Sequence, residues 1–293
     1  MAPLVLDYGL WNAGELLTDC AGEQLHLSGR IQAHGALVVA DLQDRLISHV
    51  SANVGELTGV QPDQLFDSPV MCIFAPDEQQ RLEHAIEQIE YRPSSHDLYG
   101  MRLAAASENL AAASENRVDV ILHQAGGQIL IEIEKAHGDY GPALAEILDA
   151  SHAISEAASL PEIEADVARM VRALTGFDRA MVYRFHDDEY GEIVAEDGSP
   201  ELGSYVGHHF PASDIQSEVR QIYIRTASRY IPDVDGGDVP VFASPSLAGT
   251  TLDLSLASLR SVSPHHLEYL RNMDTAASVS FSMTDGDQLT RLV

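Results

Sequence analysis

Two short stretches gather most of the side chains able to do chemistry: His208-His209-Phe210-Pro211-Ala212-Ser213-Asp214-Ile215 and Arg260-Ser261-Val262-Ser263-Pro264-His265-His266-Leu267-Glu268-Tyr269-Leu270. Each mixes carboxylate, imidazole, guanidinium or phenol with Pro, Ile, Val and Leu. Such a blend predicts either an apolar cavity with a few placed polar contacts, the common build of a small-molecule site, or a polar loop lying against a barrel. Adjacent histidines in a loop point in different directions, and no Cys or His follows at zinc-site spacing. A haem or metal site on His208/His209 and His265/His266 is therefore a secondary reading. Arg220, Arg225 and Arg229 recur along 217–231, either as carboxylate clamps or as surface partners of the abundant Asp and Glu. No glycine-rich phosphate loop, nucleophile elbow or kinase motif occurs, so no enzymatic activity is expected of this chain.

The cysteines are Cys20 and Cys72, too few for a disulfide framework and in keeping with free thiols in the cytoplasm. Cys20 lies in Asp19-Cys20-Ala21-Gly22-Glu23, where nothing supplies a core. The flanking carboxylates disfavour its thiolate in the free chain, so any reactivity has to come from a pocket elsewhere. Otherwise Cys20 is an incidental exposed thiol.

The elements that must position these groups follow from length and pattern. A chain of 293 residues, 45% hydrophobic and 21% charged, suits two soluble domains. A formal charge of −28 predicts repulsion from nucleic acid and anionic membranes. No apolar run approaches the roughly 18 residues of a membrane helix and no signal peptide is visible, so a soluble cytoplasmic protein is expected. Residues 36–40 and 46–51 read as a β-hairpin; Pro76-Asp77-Glu78 opens a helix with Leu82, Ala85, Ile86 and Ile89 at helical spacing; 118–123 and 128–134 form a second hairpin about Gln124-Ala-Gly-Gly127. That order suits a small α+β sensor domain. The tandem copy of Leu103-Ala-Ala-Ala-Ser-Glu-Asn109 at 110–116 reads as a tolerated insertion with no chemical role.

After Gly141-Pro142, Leu144, Ile147, Leu148 and Ile154 define one amphipathic helix. Ile163, Val167, Met170, Val171 and Leu174 define a second, opened by Pro161 and ended by Gly176. Their stripes serve an intramolecular core or a dimer seam. Residues 180–185 and 192–195 read as strands, with Met181, Tyr183 and Phe185 on one face; for Tyr183 the plain reading is a buried tyrosine with a satisfied hydroxyl. Residues 217–231 read as a helix and 232–245 as a long, functional loop.

Taken together, these stretches resemble the photosensory module of bacterial phytochromes, the bilin-binding red/far-red photoreceptors. Cys20 followed by Leu27-Ser-Gly-Arg-Ile-Gln-Ala-His34-Gly-Ala-Leu-Val is similar to the family's tail and first PAS strand. Thr175-Gly-Phe-Asp-Arg-Ala-Met-Val-Tyr-Arg-Phe185 resembles the opening of its GAF domain. Phe210-Pro-Ala-Ser-Asp-Ile215 and 259–273 resemble its two signature motifs. The resemblance implies an α+β fold: a tail over 1–30, a PAS domain over 31–137 and a GAF domain over 138–293, each an antiparallel sheet flanked by helices. It also implies a figure-of-eight knot in which the tail threads 232–245.

It implies biliverdin IXα as cofactor, joined by a thioether from Cys20 to the A-ring vinyl group. In plant and cyanobacterial members the linking cysteine directly follows the histidine of Ser-Pro-x-His, and here Leu267 stands there. An isolated cation in a dry pocket is costly. The resemblance therefore assigns the pyrrole N–H groups to the Asp214 carbonyl and the pyrrole water to His266, with Ile215 closing the motif beside Asp214. Arg229, Arg260, Ser278 and Ser280 fall where the family holds the propionates. Tyr183, Phe210 and Tyr269 fall around the D-ring, whose Z-to-E rotation is the light event. An output domain, a homodimer through the interdomain helices and a histidine-kinase parent are implied as well.

Some positions depart from the family. Ala33 and Gln216 stand where proline is usual, and Thr290 where tryptophan is. The sequence ends within what resembles the last GAF strand, without a PHY domain. These departures imply an unfinished sheet edge, an incomplete photocycle and, as an alternative function, near-infrared fluorescence from a truncated or engineered phytochrome.

Overall fold

Short runs rich in Val, Ile and Leu, broken by Gly and Asp turns, dictate strands through most of the chain. The computed structural model describes residues 25–91, 95–104, 117–136, 138, 141–187, 190–215 and 217–293. In chain order they form β1 (Arg30–Gln32), β2 (Ala36–Asp41), β3 (Ile47–Ser51), α1 (Val54–Thr58), α2 (Pro62–Leu65), α3 (Gln79–Tyr91), β4 (His96–Arg102), β5 (Arg117–Ala125), β6 (Gln128–Lys135), α4 (Gly141–Glu156), α5 (Leu160–Thr175), β7 (Arg179–Phe185), β8 (Gly191–Gly198), β9 (His209–Phe210), α6 (Ser217–Arg225), β10 (Ser228–Ile231), β11 (Asp238–Ala243), α7 (Pro264–Asn272), β12 (Ser278–Asp285) and β13 (Gln288–Leu292). Cys20 and most of the tandem repeat lie outside the described residues.

The chain divides into two compact units, 1–137 with 231–278, and 138–230 with 279–293. The first holds a seven-stranded sheet in the order β1-β11-β3-β2-β6-β5-β4. Its strand β2 is Ala-Leu-Val-Val-Ala-Asp, buried along all but its last residue, because both faces of the sheet are covered. On one face Val38, Val50, Ile131 and Leu122 pack with Leu82, Ala85, Ile86 and Ile89 of α3. On the other, Leu37, Val39 and Leu130 pack with Leu252, Leu254, Ala257 and Leu259. The β5–β6 turn needs two residues at positive φ, and Gly126 and Gly127 supply them at 55° and 81°.

The stretch 232–245, expected as a loop, contains β11, which pairs with β1 (Arg30 with Pro240, Ile31 with Val239) and with β3 (Phe242 with Val50). Its alternation Val239, Val241, Ala243 was hidden by the surrounding Pro, Gly and Asp. Residues 28–32 also meet 259–261: the Gln32 amide donates to the Leu259 carbonyl at 2.7 Å and the Ser261 amide to the Arg30 carbonyl at 3.1 Å.

The second unit holds a six-stranded sheet in the order β10-β12-β13-β7-β8-β9. One face, Ala180, Val182 and Ala195, packs on Val167, Ala168 and Val171 of α5. Gly176 caps α5 in the left-handed region, with its amide donating to the Arg172 carbonyl at 2.9 Å. Glu164 of α5 is 3% exposed and accepts from Arg184 of β7 at 2.8 and 2.9 Å and from Arg291 of β13 at 2.7 Å. β13, expected as an unfinished edge, is an interior strand paired with both β12 and β7. Two further expectations need correction. The helix predicted over 217–231 stops at Arg225, so Arg229 stands on β10. On α4, Ile147 and Leu148 are 43% and 58% exposed, so this part of its stripe is not core.

Candidate functional site

The expected site residues divide between the two units. In the six-stranded unit, β7 presents Tyr183 and Phe185 on the face opposite α5. Where β7 pairs with β8 the register shifts between Val182 and Tyr183, with Val194 the extra residue on β8, a bulge that bends β8 and raises the local twist. Tyr183 meets Phe185 edge-on at 5.0 Å between ring centroids and Phe210 of β9 at 5.9 Å. The three rings surround Gly191, which stands opposite both Phe185 and Phe210 in register. A Cβ at Gly191 would lie 1.7 Å from Tyr183 Cζ, so the ring position requires glycine. Sequence reasoning missed Gly191, whose only signal is a glycine beginning a strand.

Pro211 leads into a 3-10 turn, 212–214, in which the Asp214 amide donates to the Pro211 carbonyl at 3.1 Å. Asp214 is exposed and Ile215 half-buried. Arg220 of α6 fixes the end of this turn: its Nε donates to the Ile215 carbonyl at 2.8 Å, and its guanidinium lies over the Phe185 ring at 4.9 Å. Arg220 thus serves the Asp214 turn, a role its sequence did not reveal. Arg229 on β10 and Ser280 on β12 are half-buried on neighbouring strands. The unit also contains a cavity of about 440 Å³ beside Phe185, Arg220, Ile224 and Thr290. None of the expected site residues lines it, although Thr290, one of the departures from the family, does.

In the seven-stranded unit, Ser263 and Pro264 open α7 as N-cap and first-turn proline. The helix buries Leu270 and packs Leu267 against Ile231 and Val234. Its other side presents His266 and Tyr269, both exposed and one turn apart, with near-parallel rings 6.3 Å between centroids. Arg271 holds the helix to the loop between β10 and β11, donating to Asp235 at 2.8 Å and to the Val234 carbonyl at 3.0 Å. Arg260, just before the helix, is 3% exposed and donates through Nη1 to the Ser255 carbonyl at 3.4 Å. Ser278, at the start of β12, is half-buried. Cys72 is exposed and partial desolvation raises its pKa, which suits an unreactive thiol. Among the described residues no His/Cys/Asp/Glu group could hold a metal ion, and no helix is long and apolar enough to cross a membrane.

Comparison with known proteins gives this arrangement a context. Residues 20–136 match the family model described as PAS fold. A bacteriophytochrome from Xanthomonas campestris is 35% identical over 286 residues, 94% of this chain and 42% of that protein. Cyanobacterial phytochrome B from Nostoc is 32% identical over 282 residues, covering 94% of this chain and 36% of its own. The chain thus spans about two-fifths of the length of these relatives. The crystal structure of the chromophore-binding domain of Stigmatella aurantiaca bacteriophytochrome, a Thr-to-His mutant in the Pr state, superposes with a TM-score of 0.83 at 32% identity, over 93% of this chain and 88% of that one. The same domain of an unusual bacteriophytochrome from R. palustris gives 0.81 at 33%, over 94% and 88%. With similarity of this extent in both sequence and fold, the chain belongs to the phytochrome family, and corresponds to the part known in bacteriophytochromes as the chromophore-binding domain.

Proposed function

We infer that this chain is the light-sensing module of a bacterial phytochrome, holding biliverdin IXα covalently through Cys20. The observation that carries the reading is the ring wall of Tyr183, Phe185 and Phe210 around Gly191, joined to the Asp214 turn. Its chemistry fits a large conjugated group. The half-buried aromatic faces suit an apolar pigment body, and the exposed Asp214 suits cationic pyrrole nitrogens. When bound, the pigment supplies red-light absorption and the Z-to-E rotation of its D-ring.

In this reading each residue has one task. Tyr183, Phe210 and Tyr269 pack around the D-ring, and Asp214 offers its backbone carbonyl to the pyrrole N–H groups while Ile215 closes the turn. His266 retains the pyrrole water. Arg229, Arg260, Ser278 and Ser280 bind the propionates through charged or hydroxyl hydrogen bonds. Leu267, rather than a cysteine, follows His266, which leaves the tail thiol as the tether and favours biliverdin.

Residues 31–137 serve as the PAS domain and 138–293 as the GAF domain, whose 231–278 segment joins the first unit. Residues 28–32 contacting both β11 and 259–261 support the knot. Exposed Ile147 and Leu148 of α4 support a homodimer seam. Within a longer cytoplasmic parent the module would pass its light state to an output domain, a histidine kinase in this reading.

The test is co-expression with a haem oxygenase, followed by denaturation and zinc-induced bilin fluorescence of the protein band. Covalent pigment in the wild type and in Cys72→Ser, lost in Cys20→Ser, with a red absorbance that shifts under red light, is the expected result. Pigment that fluoresces without shifting would instead favour a near-infrared fluorescent module. A pigment-free wild type would overturn both.

A further inference from the structure

Glu132 occupies a position where a carboxylate is costly. It stands in the middle of β6, opposite Leu37 of β2 and Ile121 of β5, and is 1% exposed. The apolar cluster on its face of the sheet includes Leu37, Leu130, Leu254 and Leu259. An ionised group persists in such a place only where donors converge on it. Three do. The Ser258 amide donates to Oε1 at 3.0 Å, the Leu259 amide to Oε2 at 2.5 Å, and His123 Nε2 to Oε1 at 2.8 Å.

The first two donors are the backbone immediately before Arg260. Leu259 is also gripped from the opposite direction, its carbonyl accepting from the Gln32 amide at 2.7 Å. Just beyond Arg260, Ser261 donates from its amide to the Arg30 carbonyl at 3.1 Å and from its hydroxyl to Ser28 at 3.0 Å. Gly35 leaves room for the Leu259 side chain: a Cβ there would come within 2.8 Å of both its methyl carbons. The backbone around one buried arginine is thus held by a carboxylate inside the sheet and by the strand that follows the tail.

We propose that Glu132, oriented by His123, is a positioning residue that aims Arg260 at a carboxylate of the bound pigment, so that the PAS sheet sets the strength of propionate recognition without touching it. This rests on the reading above, in which Arg260 meets a propionate. Glu132→Gln replaces one acceptor oxygen by an NH₂ group, which then faces the Ser258 amide and His123 or the Leu259 amide as donor against donor. The turn shifts and Arg260 loses its aim.

The test uses the full chain carrying Cys20→Ser, so that binding is reversible, titrated with biliverdin and with its dimethyl ester by absorbance. The preference for free acid over ester reports the propionate contact, and a general loss of packing would weaken both pigments alike. The Cys20→Ser chain should prefer the acid, and Arg260→Ala should reduce that preference to what Arg229 and the two serines still supply. Glu132→Gln should cut it by about tenfold, and the Glu132→Gln/Arg260→Ala double variant should show no loss beyond that of Arg260→Ala alone. His123→Gln, which keeps an N–H donor for Glu132, should retain the preference, and His123→Phe should reduce it. Equal weakening of both pigments, or an unchanged preference, in Glu132→Gln would overturn the proposal. If that variant does not fold, the same comparison in His123→Phe decides. A Cys20→Ser chain that binds no bilin, or an acid preference untouched by Arg260→Ala, would overturn the Arg260–propionate reading itself, and this proposal with it.

Discussion

A single missing methyl group decides where Tyr183 lies. Gly191→Ala places Cβ 1.7 Å from Cζ and 1.9 Å from the hydroxyl oxygen of Tyr183, so the ring must leave. The expected cost is about 1–3 kcal/mol, with an altered near-UV dichroism. Tyr183→Phe keeps Cζ and should not relieve the clash, whereas Tyr183→Ala should, a non-additive coupling visible in a double-mutant cycle of thermal stability.

His49 gives a second residue-scale prediction. It is 2% exposed on β3, and burial lowers its pKa from 6.5 to about 4. The unfolded chain therefore takes up a proton that the folded chain refuses, and stability should fall as pH drops from 6.5 towards 4, by up to about 3 kcal/mol. Melting temperature against pH should show this slope in the wild type and a shallower one in His49→Leu.

At the scale of elements, Glu164 joins α5 to β7 and β13 through Arg184 and Arg291. Glu164→Ala leaves two partly buried guanidinium groups without their shared carboxylate, and should cost roughly 3 kcal/mol in denaturant unfolding. This scale also shows what the sequence reveals and what it conceals. The β5–β6 hairpin, α3 with its buried Leu82, Ala85, Ile86 and Ile89, and α5 with its Gly176 cap were legible because pattern and end signals agree locally. β11 was not, since its strand character comes from β1 and β3, which are remote in sequence. The end of α6 was missed because Arg225-Thr-Ala-Ser228 carries no Gly or Pro. Among site residues, the motif types of Phe210, Asp214, Arg260 and His266 stood out. Gly191 and Glu132 did not, and Arg220 stood out only as one of three arginines without its role, because each acts by what it packs against or holds.

For the whole molecule, a formal charge of −28 makes self-repulsion a destabilising influence on both units. Raising monovalent salt from about 10 mM to about 150 mM shortens the screening length from roughly 30 Å to 8 Å and should raise the melting temperature. A temperature that falls instead would mean that the surface ion pairs outweigh the net repulsion.

The pairing of Arg30 with Pro240 carries a consequence for biosynthesis. The third residue of β1 leaves the ribosome more than 200 residues before its partner strand, and at about 5–20 residues per second the delay is roughly 10–40 s. During that interval β1 has no strand to join and the outer side of β3 stays uncovered. The nascent polypeptide must keep an unpaired strand from pairing with its neighbours on the same polysome, and chaperone demand should be greatest just before residues 238–243 emerge.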